Sequence, residues 1–290
     1  GGASPVSYEI SKGYVENGHT VHVVTMGYKD LPDYEIVDGI HVHRVKCWRS
    51  KKEICYPWEQ LTYIFAAKHY LKKLLAKQDF KVNHTHFIIP TGILAQWLRR
   101  KYKIPFFITS HGSDVIGYNR RFKRLYPLVK KQWKKVIKSA EFVITPSDFL
   151  KEKIEEKTTA SNVKVIPNGI NTRIFTPRKK EKVILIVARL FKNKGVQDIL
   201  EALRDLSLGT WHIDIVGEGP FRKVLKSMIE KYNIKNTTFH GWIDNKNPKM
   251  KEFYGKATIF ISASYFESFG QTVLEAISAG CFPLLSDIRG

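Results

Sequence analysis

The chain has 290 residues, 43% of them hydrophobic and 26% charged, which excludes a disordered polypeptide and provides for about two domains of ordinary size. Its 48 Lys plus Arg outnumber 27 Asp plus Glu, leaving a formal net charge of +21 and a general affinity for polyanions. Three cysteines, Cys47, Cys55 and Cys281, are too few and too scattered for a disulfide framework or a four-ligand zinc site, so a reducing compartment is expected, and no apolar run approaches the ~20 residues of a membrane-spanning helix.

In chain order, Gly1-Gly2-Ala3-Ser4-Pro5 is turn chemistry feeding a helix with Val6, Ile10 and Tyr14 on one face. A glycine turn that opens a helix ordinarily follows a strand, so the sequence reads as a fold entered after its first strand. Period 2 then alternates with period 3.6, the signature of βαβ units around a parallel sheet. Strands are predicted at 20–26, 40–45, 82–87, 106–110, 142–145 and 163–166, with helices over 57–77, 92–102, 121–139 and 147–157. Pro167-Asn168-Gly169, a lone Phe175, Thr176-Pro177 and the charged run Arg178-Lys179-Lys180-Glu181-Lys182 interrupt the pattern, which sets domains at 1–175 and 176–290. Beyond them, strands at 183–188, 211–216, 238–241, 259–262 and 282–285 alternate with helices over 196–206, 221–232, 248–255 and 270–278. The final strand meets Arg289-Gly290 with no helix to cover it. The expected fold is α/β: two doubly wound Rossmann-like domains, each with its own sheet, facing across a cleft and truncated at both ends.

Open parallel sheets bind ligands beyond the carboxyl ends of their strands. Those ends carry His86, Ser110-His111-Gly112-Ser113-Asp114, Pro146-Ser147 and Asn168-Gly169 in the first half. In the second half they carry Arg189 with Lys194-Gly195, Gly217-Glu218-Gly219-Pro220, Gly241-Trp242 and Glu267-Ser268-Phe269-Gly270. Two cations beside a helix N-terminus suit a diphosphate; the plainer reading is two solvated cations. Glu267 and Glu275 lie eight apart, and two carboxylates around a helix start suit a polyhydroxylated ligand such as a sugar nucleotide. Either alone could equally be a surface or capping residue. His111 ends an apolar strand as a site residue or a structural hydrogen-bonding one, and a metal set of His84, His86, His111 and Asp114 is conceivable, though nothing in the spacing forces it together. Neither GxxxxGK[ST], GxGxxG nor GxSxG occurs, which argues against a P-loop NTPase, a simple dinucleotide dehydrogenase and a serine-elbow hydrolase.

The charge is uneven. The first 175 residues carry 30 basic against 15 acidic side chains, the remainder 18 against 12, and 101–140 holds 11 basic residues with Asp114 as its one acid. Arg120, Arg121, Lys123, Arg124, Lys130, Lys131, Lys134, Lys135 and Lys138 surround Leu125, Val129, Trp133, Val136 and Ile137 at helical spacing. The apolar stripe is expected to pack on the sheet and leave the cations outward. That face is either simply solvated or docks on anionic lipid. No RNA- or DNA-binding module is legible, so nucleic acid is not an expected partner.

Taken together, Val187-Ala188-Arg189-Leu190 through Lys194-Gly195, Val216-Gly217-Glu218-Gly219-Pro220, Glu267-Ser268-Phe269-Gly270 through Glu275-Ala276, Ile166-Pro167-Asn168-Gly169-Ile170 and His111-Gly112-Ser113-Asp114 resemble the motif series of the family 4 retaining glycosyltransferases of the GT-B fold. The resemblance runs over nearly the whole chain in order. It implies a hexosyl-type, metal-independent transferase without cofactor, in which Arg189 and Lys194 bind the donor diphosphate, Glu275 holds the ribose hydroxyls, and Glu267 with Gly217, Phe269 and Gly270 contacts the donor. Gly2 would approach the donor from the facing domain, and His111 would orient the sugar near its anomeric carbon; His111 and Glu267 are the implied catalytic residues. Protein cations and a helix terminus would take the role of a divalent ion.

The expected partners are therefore a nucleotide-diphosphate sugar, an acceptor that is lipid-linked or a cell-envelope glycan precursor, and an anionic membrane surface touched by Arg120, Arg121, Lys130, Lys131, Lys134 and Lys135. The expected location is the cytoplasm, peripheral on the inner membrane face. The competing reading is a non-catalytic basic module that binds anionic lipid or nucleic acid. A third, within the same fold, is a phosphorylase or sugar-nucleotide epimerase.

Overall fold

The computed structural model describes residues 3–50, 55–117, 126–245 and 247–288. Its chain divides into two compact units, Gly1–Pro167 and Asn168–Gly290. The segment 168–175 goes with the second unit: Phe175 packs edge-on against Tyr254 in that unit's core, and the Ser278 hydroxyl donates to the Phe175 carbonyl at 2.8 Å.

In the first unit, helix α1 (Ala3–Glu16) leads into a three-stranded sheet of β1 (Val21–Met26), β2 (Tyr34–Val37) and β3 (Ile40–Val45). Its order is β1-β3-β2, with β1 and β3 parallel and β2 antiparallel. Strand β2 escapes the sequence reading although Tyr34, Ile36 and Val37 favour a strand, because its four residues are too few to show a period. A better clue was Asp38-Gly39, both at positive φ (50° and 78°), the pair that closes two-residue hairpins.

Four parallel strands, β4 (Asn83–His86), β5 (Phe106–Thr109), β6 (Val143–Thr145) and β7 (Val163–Val165), form a second sheet in sequential order. The described residues of this unit therefore carry two sheets where one was expected. Side chains join them in place of a ladder: the Tyr14 hydroxyl meets His84 Nδ1 at 3.0 Å, and His22 packs edge-on to Phe80.

Helices α2 (Pro57–Leu75), α3 (Thr91–Tyr102), α4 (Tyr126–Ser139) and α5 (Asp148–Glu155) pack around these strands. Trp133, Val136 and Ile137 of α4 are buried against Phe106, Ile108 and Val143, while the Trp133 indole N–H donates to the Asp114 carbonyl at 2.9 Å. The stripe thus packs inward at these three positions, with Val129 half-buried and Leu125 outside the described residues.

The second unit is a five-stranded parallel sheet of β8 (Glu181–Val187), β9 (His212–Val216), β10 (Thr237–Gly241), β11 (Ala257–Ser262) and β12 (Phe282–Leu285) in the order β10-β9-β8-β11-β12. Helices α6 (Val196–Leu203), α7 (Arg222–Lys231), α8 (Pro248–Lys256) and α9 (Gln271–Ser278) connect the strands. Alternation along β8 feeds both faces. Ile184 and Ile186 join Val196, Leu200 and Leu225 on one side, and Leu185 joins Met250, Tyr254 and Ala276 on the other. Because β8 is central, the strand order reverses between β8 and β11. That reversal is the place where α/β sheets open a ligand crevice. Among the described residues no helix is long and apolar enough to cross a membrane.

Candidate functional site

The loops after β8 and β11, which flank the reversal, carry most of the expected donor residues. After β8, Arg189 is exposed with its guanidinium 5.5 Å from the centre of the Phe191 ring. A 3-10 turn, Lys192–Lys194, ends at Gly195 (φ 67°), which starts α6. Lys194 Nζ pairs with Glu267 Oε1 from the loop after β11, and the Ser264 hydroxyl donates to the same oxygen at 2.8 Å. Two charges 73 residues apart in sequence, one from the loop after β8 and one from the loop after β11, thereby meet across the switch point. The loops are stitched further by the Tyr265 N–H donating to the Asn193 carbonyl at 3.0 Å and by Gln197 Nε2 donating to the Tyr265 hydroxyl at 2.7 Å.

Glycine makes this approach sterically feasible. A Cβ on Gly195 would stand 1.8 Å from the Ala263 carbonyl oxygen, and one on Gly217 (φ 142°) 1.8 Å from that of Ala188. Gly217 is buried in this backbone contact, so its first role is to let the β9 loop lie against the β8 loop. The Leu190 N–H then donates to the Glu218 carbonyl at 2.9 Å. Gly270 takes φ 83° as the N-cap of α9, turning the chain so that the free N–H groups of that helix start beside Glu267, with Phe269 half-buried next to it.

Glu275, one turn into α9, is only 3% exposed. Its Oε2 accepts from the Tyr254 hydroxyl (2.7 Å) and its Oε1 from Asn245 Nδ2 (3.2 Å). Burial pushes the carboxyl up to about 7, against the opposing effect of the Tyr254 hydrogen bond. A carboxylate has about four acceptor positions, and these two partners leave others for hydroxyl donors. Neither Tyr254 nor Asn245 was marked by the sequence, since a partner on another helix leaves no trace in local spacing.

In the first unit, His111 follows β5 with its Nε2 3.0 Å from His86 Nδ1, and the two rings stack at 5.3 Å. His84 stacks on His86 in turn and reaches Thr109 Oγ1 at 2.7 Å. Burial lowers the His111 pKa to about 4; burial with the neighbouring imidazoles does the same to His86 (about 4) and His84 (about 3). All three are neutral at physiological pH, which fits them to polar contact, not to acting as cations. Asp114 is turned away from them: its carboxylate accepts from the Ile88 N–H (2.7 Å), the Ser110 hydroxyl (3.1 Å) and the His111 N–H (3.1 Å). Among the described residues no group of three or more His, Cys, Asp or Glu is placed to hold a metal ion. On α4, Lys130, Lys131, Lys135 and Lys138 are exposed and Lys134 is half-buried. Gly2, Arg120 and Arg121 lie outside the described residues.

The two units give the chain the GT-B fold of the glycosyltransferases on which it superposes. Residues 1–174 match the model of Glycosyltransferase Family 4 and residues 167–290 that of Glycosyl transferases group 1, and the chain belongs to Glycosyltransferase Family 4. It is 28% identical to an uncharacterized glycosyltransferase of Methanocaldococcus jannaschii, a match covering 97% of this chain and 75% of the relative. It is 27% identical to the alpha-monoglucosyldiacylglycerol synthase of Streptococcus pneumoniae, over 91% of this chain and 63% of the synthase. The solved structure of Anabaena Alr3699/HepE in complex with UDP and glucose superposes with a TM-score of 0.76 at 15% identity, covering 100% of this chain and 78% of that one.

Proposed function

We propose that the protein moves a hexosyl group from a nucleotide-diphosphate sugar to a lipid-linked or envelope-glycan acceptor with retention of configuration. The observation that carries this reading is the Lys194–Glu267 pair at the strand-order reversal, which joins the loop that carries Arg189 to the loop that leads into α9. Arg189, Lys194 and the α9 N–H groups hold the diphosphate, supplying the counter-charge that a divalent ion supplies elsewhere. Glu275 accepts hydrogen bonds from the ribose hydroxyls. Glu267, Phe269 and Gly270 face the donor sugar. Gly2 and the neutral His111, both in the first unit, are assigned to the donor through the family resemblance, His111 as a hydrogen-bonding group near the anomeric carbon.

In the transfer, the bond from the anomeric carbon to the diphosphate oxygen breaks and a bond to the acceptor oxygen forms on the same face, the acceptor proton passing to the leaving diphosphate. A fixed electrostatic cradle favours this step because charge develops on the leaving group. The structural neighbour solved with UDP and the lipid glucosyltransferase among the relatives support the donor and acceptor classes respectively. The basic face of α4 supports an anionic membrane as the place of acceptor encounter. A non-catalytic basic module would account for α4 but leave the buried Glu275 and the Lys194–Glu267 pair without a task.

Calorimetry with a panel of sugar nucleotides tests the reading. Arg189→Ala and Lys194→Ala each remove a charge-assisted contact worth about 1.5–3 kcal/mol, so affinity is expected to fall roughly ten- to a hundredfold. Unchanged affinity in both variants would remove the diphosphate assignment. Incubation with labelled nucleotide sugars and a membrane lipid extract then shows whether sugar reaches lipid.

A further inference from the structure

Helix α2 presents an outward face that joins large apolar side chains to lysines. Trp58, Leu61 and Phe65 are 55%, 57% and 73% exposed, and their spacing of three and four aligns them on one stripe. The opposite face buries Glu59, Tyr63 and Ala67, so the helix is fully seated in the fold and the stripe is surplus to its core. Further along the same stripe come the exposed His69 and Lys72, with Lys73 adjacent, while Lys68 is half-buried with its ammonium 5.3 Å from the centre of the Trp97 ring. Trp48, 68% exposed, lies beside the first turns, where its backbone N–H donates to Thr62 Oγ1 at 3.2 Å. Tyr56 stacks on Trp58 at 4.7 Å.

The charge on this helix has one sign. Its single acid, Glu59, is 0% exposed and occupied by the Ser50 hydroxyl (2.6 Å), the Ser50 N–H (2.7 Å) and the Tyr56 N–H (2.8 Å). No carboxylate of α2 therefore offsets its lysines. This selects the partner: two copies meeting face to face would set lysine against lysine, whereas an anionic bilayer accepts both halves of the stripe. Trp and Tyr favour the boundary between acyl chains and headgroups, and lysine stems lie along apolar surface while their ammonium groups reach phosphate.

We propose that α2 is a monotopic membrane anchor, lying in the plane of an anionic bilayer with Trp48, Trp58, Leu61 and Phe65 inserted at the acyl boundary and Lys72 and Lys73 on lipid phosphates. The proposal rests on the membrane reading above for its partner, but on different residues: α4 supplies electrostatic attraction, and α2 supplies insertion.

Flotation with vesicles of mixed phosphatidylcholine and phosphatidylglycerol tests it. Removing two inserted aromatics in Trp58→Ser/Phe65→Ser is expected to weaken partitioning at least about tenfold, with an unchanged melting temperature because both side chains are solvent-facing. Acyl chains brominated near the boundary are expected to quench tryptophan fluorescence, and Trp58→Phe to lose part of that quenching. Should the double variant prove poorly folded, Leu61→Gln is read out in the same assays. Partitioning and quenching equal to the unsubstituted protein overturn the proposal. So does sedimentation in the absence of lipid showing that the double variant dissociates a dimer, which would make the stripe a contact between copies. Donor affinity measured by calorimetry on the same variants is expected to stay constant, so a failure of insertion is distinguishable from a failure of the transferase reading.

Discussion

Glu275 carries an ionisable proton in a place where ordinary carboxyls have none. Burial holds its folded-state pKa at about 7 against an ordinary 4.5. Between those values this carboxyl is protonated more in the folded protein than in the unfolded chain, so its own contribution to stability falls as pH rises. The contribution is fully present below about pH 4.5 and lost above pH 7, up to about 3 kcal/mol over the interval. Burial of His84, His86 and His111 with lowered pKa values raises stability with pH up to about 6.5, so the Glu275 effect is read as a difference: in thermal melts from pH 5 to 8, Glu275→Gln, which keeps an acceptor for the Tyr254 hydroxyl, is expected to gain stability relative to the unsubstituted protein as pH rises to 7. The same pH dependence in both proteins would assign the effect to another group. The glutamate itself was legible as an acid on an apolar helix. Its raised pKa was not, because that depends on how completely α8 and α9 exclude water from it, and its partners Tyr254 and Asn245 come from 21 and 30 residues away in sequence.

At the scale of elements, the donor site depends on loops that touch through their backbones. Gly195 is the sharpest test: its left-handed φ and the Ala263 oxygen 1.8 Å from a would-be Cβ forbid a side chain without moving one loop. Gly195→Ala is expected to cost on the order of 3 kcal/mol, read as a lowered urea midpoint. Gly169→Ala, with nothing within 4 Å of the added atom, is expected to change stability by less than about 0.5 kcal/mol. The core-facing stripe of α4 and the strands of the second unit follow directly from periodicity, since fully buried parallel strands read as apolar runs and amphipathic helices as a 3.6 repeat. Strand β2 did not, because the four residues Tyr34–Val37 are too few to show a period and its Asp38-Gly39 turn is the clearer mark.

For the whole molecule the excess of cations is uneven along the chain, +15 in the first 175 residues against +6 in the rest. Lys131, Lys135 and Lys138 share the exposed side of α4, and binding to anionic vesicles is expected to weaken steeply as ionic strength rises past physiological, where screening acts over about 8 Å. Lys131→Gln/Lys135→Gln/Lys138→Gln is expected to lose roughly 1 kcal/mol per charge at low salt and to bind phosphatidylcholine vesicles as before. An unchanged salt dependence would mean that this face takes no part in docking.

The sequence alone determined the alternation of strands and helices, the two-unit α/β plan, the family motifs and the order in which they occur, because each is encoded within a few neighbouring residues. Tertiary structure alone decided that Lys194 pairs with Glu267, that Gly217 serves a backbone contact, that Asp114 turns to backbone amides instead of the histidines, that the described part of the first unit holds two sheets, and that Trp58, Leu61 and Phe65 face outward. Each of these depends on which distant segment arrives next to a residue. Apolar residues at helical spacing fit a buried face and an inserted one equally well until the packing of the opposite face shows which side the core has taken.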